Sequence, residues 1–340
     1  MNIFSLAGYA LVVTAGTGLL VGCSTSGAPS LAPAGISSAG MDAAHMTKAA
    51  MSNGFWLTAA HPAQLRGGLA FPNRKHHKKK EPYQYVSDVG TDTLFAFDYP
   101  KTDSSIGAIK NFVVPQGECT KNGKKTFWVA DTGAAHIQEF KAGGSLPINT
   151  LSESVGLVVG CAVDPSTGDL AATIVSNGDV IVFPHATEPA TTYSTELFQA
   201  YFDGYDNKDN LFADGFISQT VVGLVELPKG GSSFQNISVS NTIEFPGNVQ
   251  WDGKYVTVND QNTHEIYRYS LSGTTATLKG IVKLAGSKDC DQTWIAKSVV
   301  YCPDAGAANI KVYKYPAGGN PIANLTGGVR IPVGAVKVSN

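Results

Sequence analysis

The chain has 340 residues, of which 15% are charged, and a formal net charge of −2. Charge divides along its length: residues 1–82 carry seven basic and two acidic residues, a net charge of +5, whereas residues 83–340 have a net charge of −7. The larger part is therefore a mildly acidic globule, and it has no basic surface of the kind that binds nucleic acid.

The N-terminus reads as a targeting segment. An apolar run from Ile3 to Gly22 ends in Leu-Val-Gly followed by Cys23 and Ser24, which resembles a bacterial lipobox whose cysteine is lipidated and becomes the mature N-terminus. The resemblance implies a signal peptide at 1–22 and an extracytoplasmic lipoprotein of the cell envelope, held to the membrane by its lipid. An ordinary cleaved signal peptide of a secreted protein and an uncleaved anchor of about 20 residues are the alternatives.

Residues 23–82 are interpreted as the lipidated N-terminus and a mostly disordered linker. The Ser, Ala, Gly and Pro content after Cys23 is typical of a flexible tether, and Asp42–Met51 has the pattern of a short helix. The basic run Arg74–Lys80 fits anionic headgroups, at ~1 kcal/mol per residue near a membrane surface, or a solvated tether. His76 and His77 lack the spacing of a metal site.

From Tyr83 onward the chain repeats a β-hairpin pattern. The clearest copy, Phe127–Gly144, alternates apolar and polar residues around an Asp-Thr-Gly turn, as strands do. Gly-Gly pairs that close equivalent units begin at Gly143, Gly230 and Gly318, so that two units span 87 or 88 residues. A strand-only repeat of about 44 residues indicates four-stranded propeller blades.

The sequence thus predicts an all-β fold, a six-bladed β-propeller at 83–340. Inner-strand patterns precede most blades, but the first blade has none, and Pro332–Ser339 is an inner-strand pattern with nothing after it. The two chain ends are therefore predicted to complete one blade, which removes two free edges. The predicted middle strands are Gln84–Val89 and Thr93–Tyr99, Thr126–Asp131 and His136–Lys141, Leu170–Val175 and Asp179–Phe183, Leu211–Phe216 and Val222–Leu227, Tyr255–Asn259 and Glu265–Ser270, and Val299–Cys302 and Asn309–Tyr315.

The segments that begin at Gly160 (Gly-Cys-Ala-Val-Asp-Pro-Ser-Thr-Gly-Asp-Leu) and at Phe127 (Phe-Trp-Val-Ala-Asp-Thr-Gly) resemble NHL-type propeller repeats. From about Tyr83 the chain is similar to uncharacterised bacterial secreted propellers of that kind. The resemblance implies the fold over three quarters of the protein, and it leaves the activity open because propellers carry many unrelated functions.

Four cysteines remain once Cys23 is set aside, an even number in a chain predicted to be exported. Cys119 and Cys161 occupy matching positions of neighbouring inner strands, which predicts a bridge between them. Cys290 and Cys302 flank a tight hairpin, and with a turn centred on Ala296 they would lie opposite each other. The alternative of a cysteine metal cluster lacks any Cys-x-x-Cys pair.

A first functional hypothesis places an enzyme in the central channel. More distantly, the chain resembles gluconolactonase-type propellers, which implies a divalent cation held by channel Glu, Asn and Asp side chains, with Ca²⁺ suited to such oxygen ligands and able to polarise a lactone. The full ligand set cannot be matched residue by residue. The channel candidates are Glu118, Asp203, Tyr205, Asp206, Asn248, Gln250 and Asp291, of which Glu118, Asn248, Asp203, Asp206 and Asp291 are the metal candidates.

The second and favoured hypothesis is a surface-displayed binding or scaffolding propeller without a catalytic site or cofactor. Loops rich in Asn, Asp, Gly and Thr at the ends of the ring suit a carbohydrate, a peptide or another envelope protein. The chain is expected to act as a monomer. The stretch that starts at Asp203 mimics part of a calcium loop but lacks its terminal Glu, so a blade turn is the expected structure.

Overall fold

The computed structural model describes residues 82–121, 123–152 and 156–339, and this part of the chain is all-β, as predicted. The targeting segment, Cys23 and the linker lie outside the described residues. The strands of the described part are β1 (Tyr83–Asp88), β2 (Thr93–Phe97), β3 (Ser105–Ile109), β4 (Pro115–Cys119), β5 (Thr126–Asp131), β6 (His136–Lys141), β7 (Pro147–Leu151), β8 (Val158–Val163), β9 (Leu170–Ile174), β10 (Val180–Phe183), β11 (Thr191–Tyr193), β12 (Gln199–Tyr205), β13 (Leu211–Ser218), β14 (Val221–Leu227), β15 (Gln235–Val239), β16 (Val249–Trp251), β17 (Val256–Asp260), β18 (Glu265–Ser272), β19 (Thr275–Lys283), β20 (Trp294–Ala296), β21 (Val299–Asp304), β22 (Asn309–Lys314), β23 (Ala323–Leu325) and β24 (Pro332–Val338).

Within the described residues these strands form four sheets of four strands and one sheet of eight. The sheets β4–β7, β8–β11 and β20–β23 are antiparallel meanders, the connectivity of a propeller blade. The eight-stranded sheet has the order β12-β13-β14-β15-β19-β18-β17-β16. Its two halves are therefore meanders of the same kind, and they meet at a short parallel junction that pairs Ser238 with Thr275 and Val239 with Ala276.

The C-terminal strand joins the first sheet, which has the order β24-β1-β2-β3. β24 pairs antiparallel with β1 from Tyr83 opposite Val338 to Ser87 opposite Gly334. The carboxylate of Asp88 at the end of β1 accepts the backbone amides of Arg330 and Ile331 at 2.6 and 2.9 Å. It thereby fixes the chain as it enters β24, and the predicted pairing of the two chain ends is present.

Most middle strands lie within two residues of their predicted bounds, and β5 and β6 match them at both ends. β2 is shorter than predicted because the backbone carbonyl of Asp98 accepts the amide of Lys101 at 2.8 Å and starts a turn. β13 is longer than predicted, since Ser218 still pairs with Val221 across its hairpin after a bulge. Sequence patterns predict the position of such strands well, but they predict the terminal residues of each strand poorly.

The hydrophobic core lies between neighbouring sheets. The ring of Tyr85 on β1 stacks on that of Phe127 on β5 with centroids 4.1 Å apart, and a further cluster joins Trp128 of the second sheet to Leu170 and Ile181 of the third. Each fully buried apolar side chain of this kind stabilises the fold by about 1.5–3 kcal/mol. A single sheet cannot bury its own faces, which is why the repeat has to close on itself.

The inner strands approach one another so closely that glycine is required at the contacts. A Cβ atom on Gly117 would lie 2.4 Å from the carbonyl oxygen of Val159, and one on Gly334 would lie 2.3 Å from that of Gln116. Real Cβ atoms do not come so near a backbone oxygen, because their van der Waals radii overlap. The inner strands are thus packed against each other along their middles.

Both predicted disulfides are present, Cys119–Cys161 and Cys290–Cys302, with Cα–Cα distances of 5.6 and 5.2 Å. The predicted register of the second bridge was wrong. Ala296 pairs with Val299, so the turn falls at Lys297 and Ser298, and Cys290 lies opposite Asp304 rather than Cys302. Lys297 adopts a left-handed φ of 59° in this turn. By chain entropy the bridges are worth about 4 and about 3 kcal/mol for their 42- and 12-residue separations.

Candidate functional site

A cavity of about 740 Å³ lies where the inner strands β4, β8, β12, β16, β20 and β24 end. Each of these strands contributes residues from its C-terminal part, such as Cys119 at the end of β4 and Lys337 near the end of β24. Because the strands are packed tightly along their middles, this mouth is where the inner wall opens to solvent. Most small-molecule sites are concave surfaces of this size, lined by apolar groups with a few polar ones.

Three aromatic side chains and three lysines are among the residues that line the mouth. Trp251 ends β16, Trp294 begins β20 and Tyr205 ends β12, and all three side chains are half-buried at the cavity. Lys297 in the β20–β21 turn is exposed at the same rim, and Lys337 is half-buried. The rings offer flat apolar surface, and the amines offer positive charge beside it.

The amide side chains of the inner wall join neighbouring strands to each other. Gln250 of β16 donates from Nε2 to the carbonyl of Ile295 at 3.0 Å, and its Oε1 accepts the amide of Ile295 at 2.8 Å. Gln292 makes the same two-way contact with the backbone of Glu118, at 2.7 and 2.9 Å. Asn248 donates to the carbonyl of Thr293 at 2.6 Å. Gln250 and Asn248, which were predicted as channel residues, therefore hold the wall together with Gln292.

Glu118 does not face the cavity. It is fully buried between β4 and β24, where the absence of a side chain at Gly334 makes room for its carboxyl group. Its carboxyl group lies beside Ser87, whose hydroxyl also donates to the carbonyl of Gln116. Burial raises the pKa of Glu118 well above its ordinary value, because removal from water disfavours the charged carboxylate.

Asp203 lines the cavity wall but is 3% exposed. Its carboxyl group lies against Gly160 of β8, where a Cβ atom would come within 2.9 Å of Oδ1. Neither of its oxygens accepts a hydrogen bond from any other described residue. Burial raises the pKa of Asp203 to about 8, which leaves it mostly protonated at neutral pH.

Asp206 forms a turn, as expected for the stretch that resembled a calcium loop. Its Oδ1 accepts the backbone amides of Lys208 and Asn210 at 2.7 and 3.0 Å, and its Oδ2 accepts from the side chain of Asn210 at 3.0 Å. Asp291 is buried outside the cavity lining, where its backbone carbonyl accepts from the side chain of Asn259 at 3.0 Å. The two carboxyl groups lie in different surroundings.

The residues present do not fit a Ca²⁺ site of the kind the more distant resemblance implied. Ca²⁺ takes six to eight oxygen ligands that converge on one point. Among the described residues, the one group of three Cys, His, Asp or Glu donors within 4.8 Å of each other is Cys290, Cys302 and Asp304. Its two sulfur atoms are joined in a disulfide. The carboxyl groups of Glu118, Asp203, Asp206 and Asp291 are not brought together.

Sequence reasoning missed the lysines and tryptophans of the mouth. Trp251 and Trp294 stood inside recognised inner-strand patterns, but their residue type is equally typical of blade packing. Lys297 and Lys337 come from a hairpin turn and from the last strand, 40 residues apart in sequence, and only ring closure places them at one cavity. The signal that would have found them is their position at the C-terminal ends of the predicted inner strands.

The chain matches no protein-family model and no curated protein sequence. It is similar in structure to a chain of a nidogen/laminin complex, with a TM-score of 0.61 and 12% identity over 76% of this chain and 98% of that one. It is also similar to proteins of unknown function from Bacteroides caccae (TM-score 0.57, 11% identity) and Desulfotomaculum acetoxidans DSM 771 (0.57, 10%), each over 76% of this chain and 99% of the other. Together with the strand order, these likenesses show that the fold is a β-propeller.

No helix in the described part of the chain is long and apolar enough to cross a membrane.

Proposed function

We propose that the protein is an extracytoplasmic binding propeller of six blades that takes a saccharide in the mouth cavity. The blade count treats the eight-stranded sheet as two blades, since its halves share only the two-pair junction at β15 and β19. We interpret the repeat as NHL-type. In this chain Asp164 closes the turn between β8 and β9, where its Oδ1 accepts the amides of Ser166 and Thr167 at 2.7 and 2.8 Å.

The observation that supports the proposal is that three aromatic residues line one open cavity of saccharide size. They are Trp251, Trp294 and Tyr205. Aromatic side chains give large apolar contact area with little loss of conformational freedom, and their polar atoms remain available at the rim. The inner-wall amides are committed to neighbouring strands, so the wall is preorganised. A rigid wall lowers the entropy cost of binding.

Substitution of Trp251 by Ala is expected to weaken saccharide binding by about 2 kcal/mol, a rise of about 30-fold in Kd, as is usual when a central aromatic contact is lost. The measurement is an array of neutral and acidic oligosaccharides, followed by calorimetry on those that bind. Phe198→Ala is the matched control, because it removes an aromatic ring that is 55% exposed at the other end of β12. Equal binding by both variants, or an array without any bound saccharide, would refute the proposal.

The cellular address belongs to the same proposal. Cys23 is lipidated, and the propeller is held outside the cytoplasm by its N-terminal segment. Two disulfides in the propeller support export, since such bonds form and persist in oxidising compartments. Cys23→Ser is expected to release the protein from membranes and to abolish labelling with a fatty-acid analogue. Membrane retention without labelling would point to an uncleaved anchor instead.

A further inference from the structure

We propose that the ligand of the mouth cavity is an acidic saccharide, whose carboxylate is bound between the amines of Lys297 and Lys337. This inference rests on the proposed saccharide-binding function and specifies its chemistry. The sugar ring packs on the aromatic side of the cavity, and the carboxylate lies towards the end of β24.

The first argument is that neither amine has an anionic partner in the part of the chain that the structure describes. Across the described residues, neither Lys297 nor Lys337 lies within 4.0 Å of a carboxylate. Lys337 Nζ lies over the ring of Tyr301, 5.9 Å from its centroid. The half-buried ammonium of Lys337 has lost part of its hydration, and an aromatic face replaces it only in part. Because no counter-ion is present among the described residues, an anion bound there would be favourable.

The second argument is that the acidic groups of the cavity do not offset these amines. Asp252 is neutralised by Arg268, whose Nε donates to Oδ2 at 2.7 Å, and it also accepts the hydroxyl of Tyr315 at 2.6 Å. Asp203 is mostly protonated at neutral pH. Asp206 accepts amide donors within its turn and has no basic partner among the described residues, so it is the one acid of the lining that the lysines have to outnumber. Lys124 adds a further positive charge to the rim. The mouth is therefore cationic within a body whose net charge is −7.

The third argument is electrostatic crowding. Burial and, to a smaller extent, the neighbouring Lys297 ammonium lower the pKa of Lys337. A carboxylate placed beside Lys337 relieves this, because an opposite charge favours the protonated amine. A neutral sugar gives no such relief. The cavity is thus built to discriminate between an acid and its ester.

The test is calorimetry on the full-length protein with tetragalacturonic acid and with its methyl ester, which keeps the rings and removes the charge. We expect the acid to bind at least about tenfold more tightly than the ester, as for a hydrogen-bonded charged group. Lys337→Met is expected to abolish this preference and Lys297→Met to reduce it. Lys279→Met removes an exposed charge from the outer strand β19 and is expected to change nothing. A melting curve confirms that each variant is folded.

The outcomes separate this inference from the function on which it rests. Equal affinity for acid and ester, or a preference that survives in folded Lys337→Met, overturns the inference and leaves saccharide binding intact. Binding of neutral array sugars alone does the same. Sialyllactose, which carries its carboxylate on a different kind of ring, is the second probe, and binding of it in place of the galacturonate supports the carboxylate site with another sugar source. No binding to any saccharide overturns both proposals.

Discussion

A protein that ends at Ile331 is expected to lose its cooperative unfolding transition. The missing residues are β24, which is the inner strand of the first sheet and whose Val333, Ala335, Val336 and Val338 are all buried. Burial of the valines alone is worth about 5–9 kcal/mol, and β1 would be left with an unpaired edge. A whole domain is typically stable by about 5–15 kcal/mol. Thermal and urea unfolding, followed by circular dichroism, measure the loss.

The control for this truncation removes Ser339 and Asn340 alone. Ser339 is exposed and follows the last paired residue of β24, so the shorter deletion is expected to unfold like the intact protein. If the protein that ends at Ile331 melts within a few degrees of the control, β24 does not close the fold, and the account of the first sheet is wrong.

Stability is expected to fall as the pH is raised from 5 to 8, because buried acids must ionise. Glu118, Asp203 and Asp214 all have raised pKa values, chiefly through burial, and that of Asp203 is about 8 against an ordinary value of 3.8. An acid whose folded pKa is raised contributes stability that is present below its unfolded pKa and is lost as the pH rises through its folded pKa. For Asp203 this window runs from 3.8 to about 8.

Asp203→Asn isolates one of these groups. Each pH unit inside the window is worth at most about 1.4 kcal/mol per group, so the variant is expected to gain up to about 4 kcal/mol on wild type between pH 5 and 8. Asp103→Asn, which alters an exposed acid between β2 and β3, is the matched control, and its stability curve is expected to run parallel to that of wild type. Parallel curves for Asp203→Asn would show that Asp203 is ionised in the folded protein.

The fold could be predicted from the sequence because the chain repeats one strand pattern. Alternation such as that of β5 and β6 depends on local residue order, so the strands and the pairing of β24 with β1 follow from pattern alone. The Cys119–Cys161 bridge followed from equivalent positions in two units. The register of Cys290 and Cys302 could not be predicted in this way. It depends on the left-handed backbone of Lys297, and lysine is not a residue type that indicates such a turn.

The site was less predictable, because the sequence gives the type of each residue but not the direction in which its side chain points. Glu118 and Asn248 carry metal-ligand atoms, yet one side chain is buried between two inner strands and the other is tied to Thr293. Successive residues of an inner strand face alternate neighbours, so a shift of one position decides between wall and cavity. Under the proposed function, the residues to look for are the lysines and tryptophans at the C-terminal ends of the inner strands.

Hydrogen exchange on the full-length protein, with and without the tightest-binding saccharide, tests the central claim that the C-terminal ends of the inner strands form the binding site. We predict slower exchange in peptides that cover Trp251, the Lys297–Ser298 turn and the end of β24, because ligand contact suppresses local opening there. Peptides at the other end of the ring, around Phe198 and Ile217, are expected to exchange at unchanged rates. Protection confined to that other end or to the outer strands, with the mouth unaffected, would contradict the account.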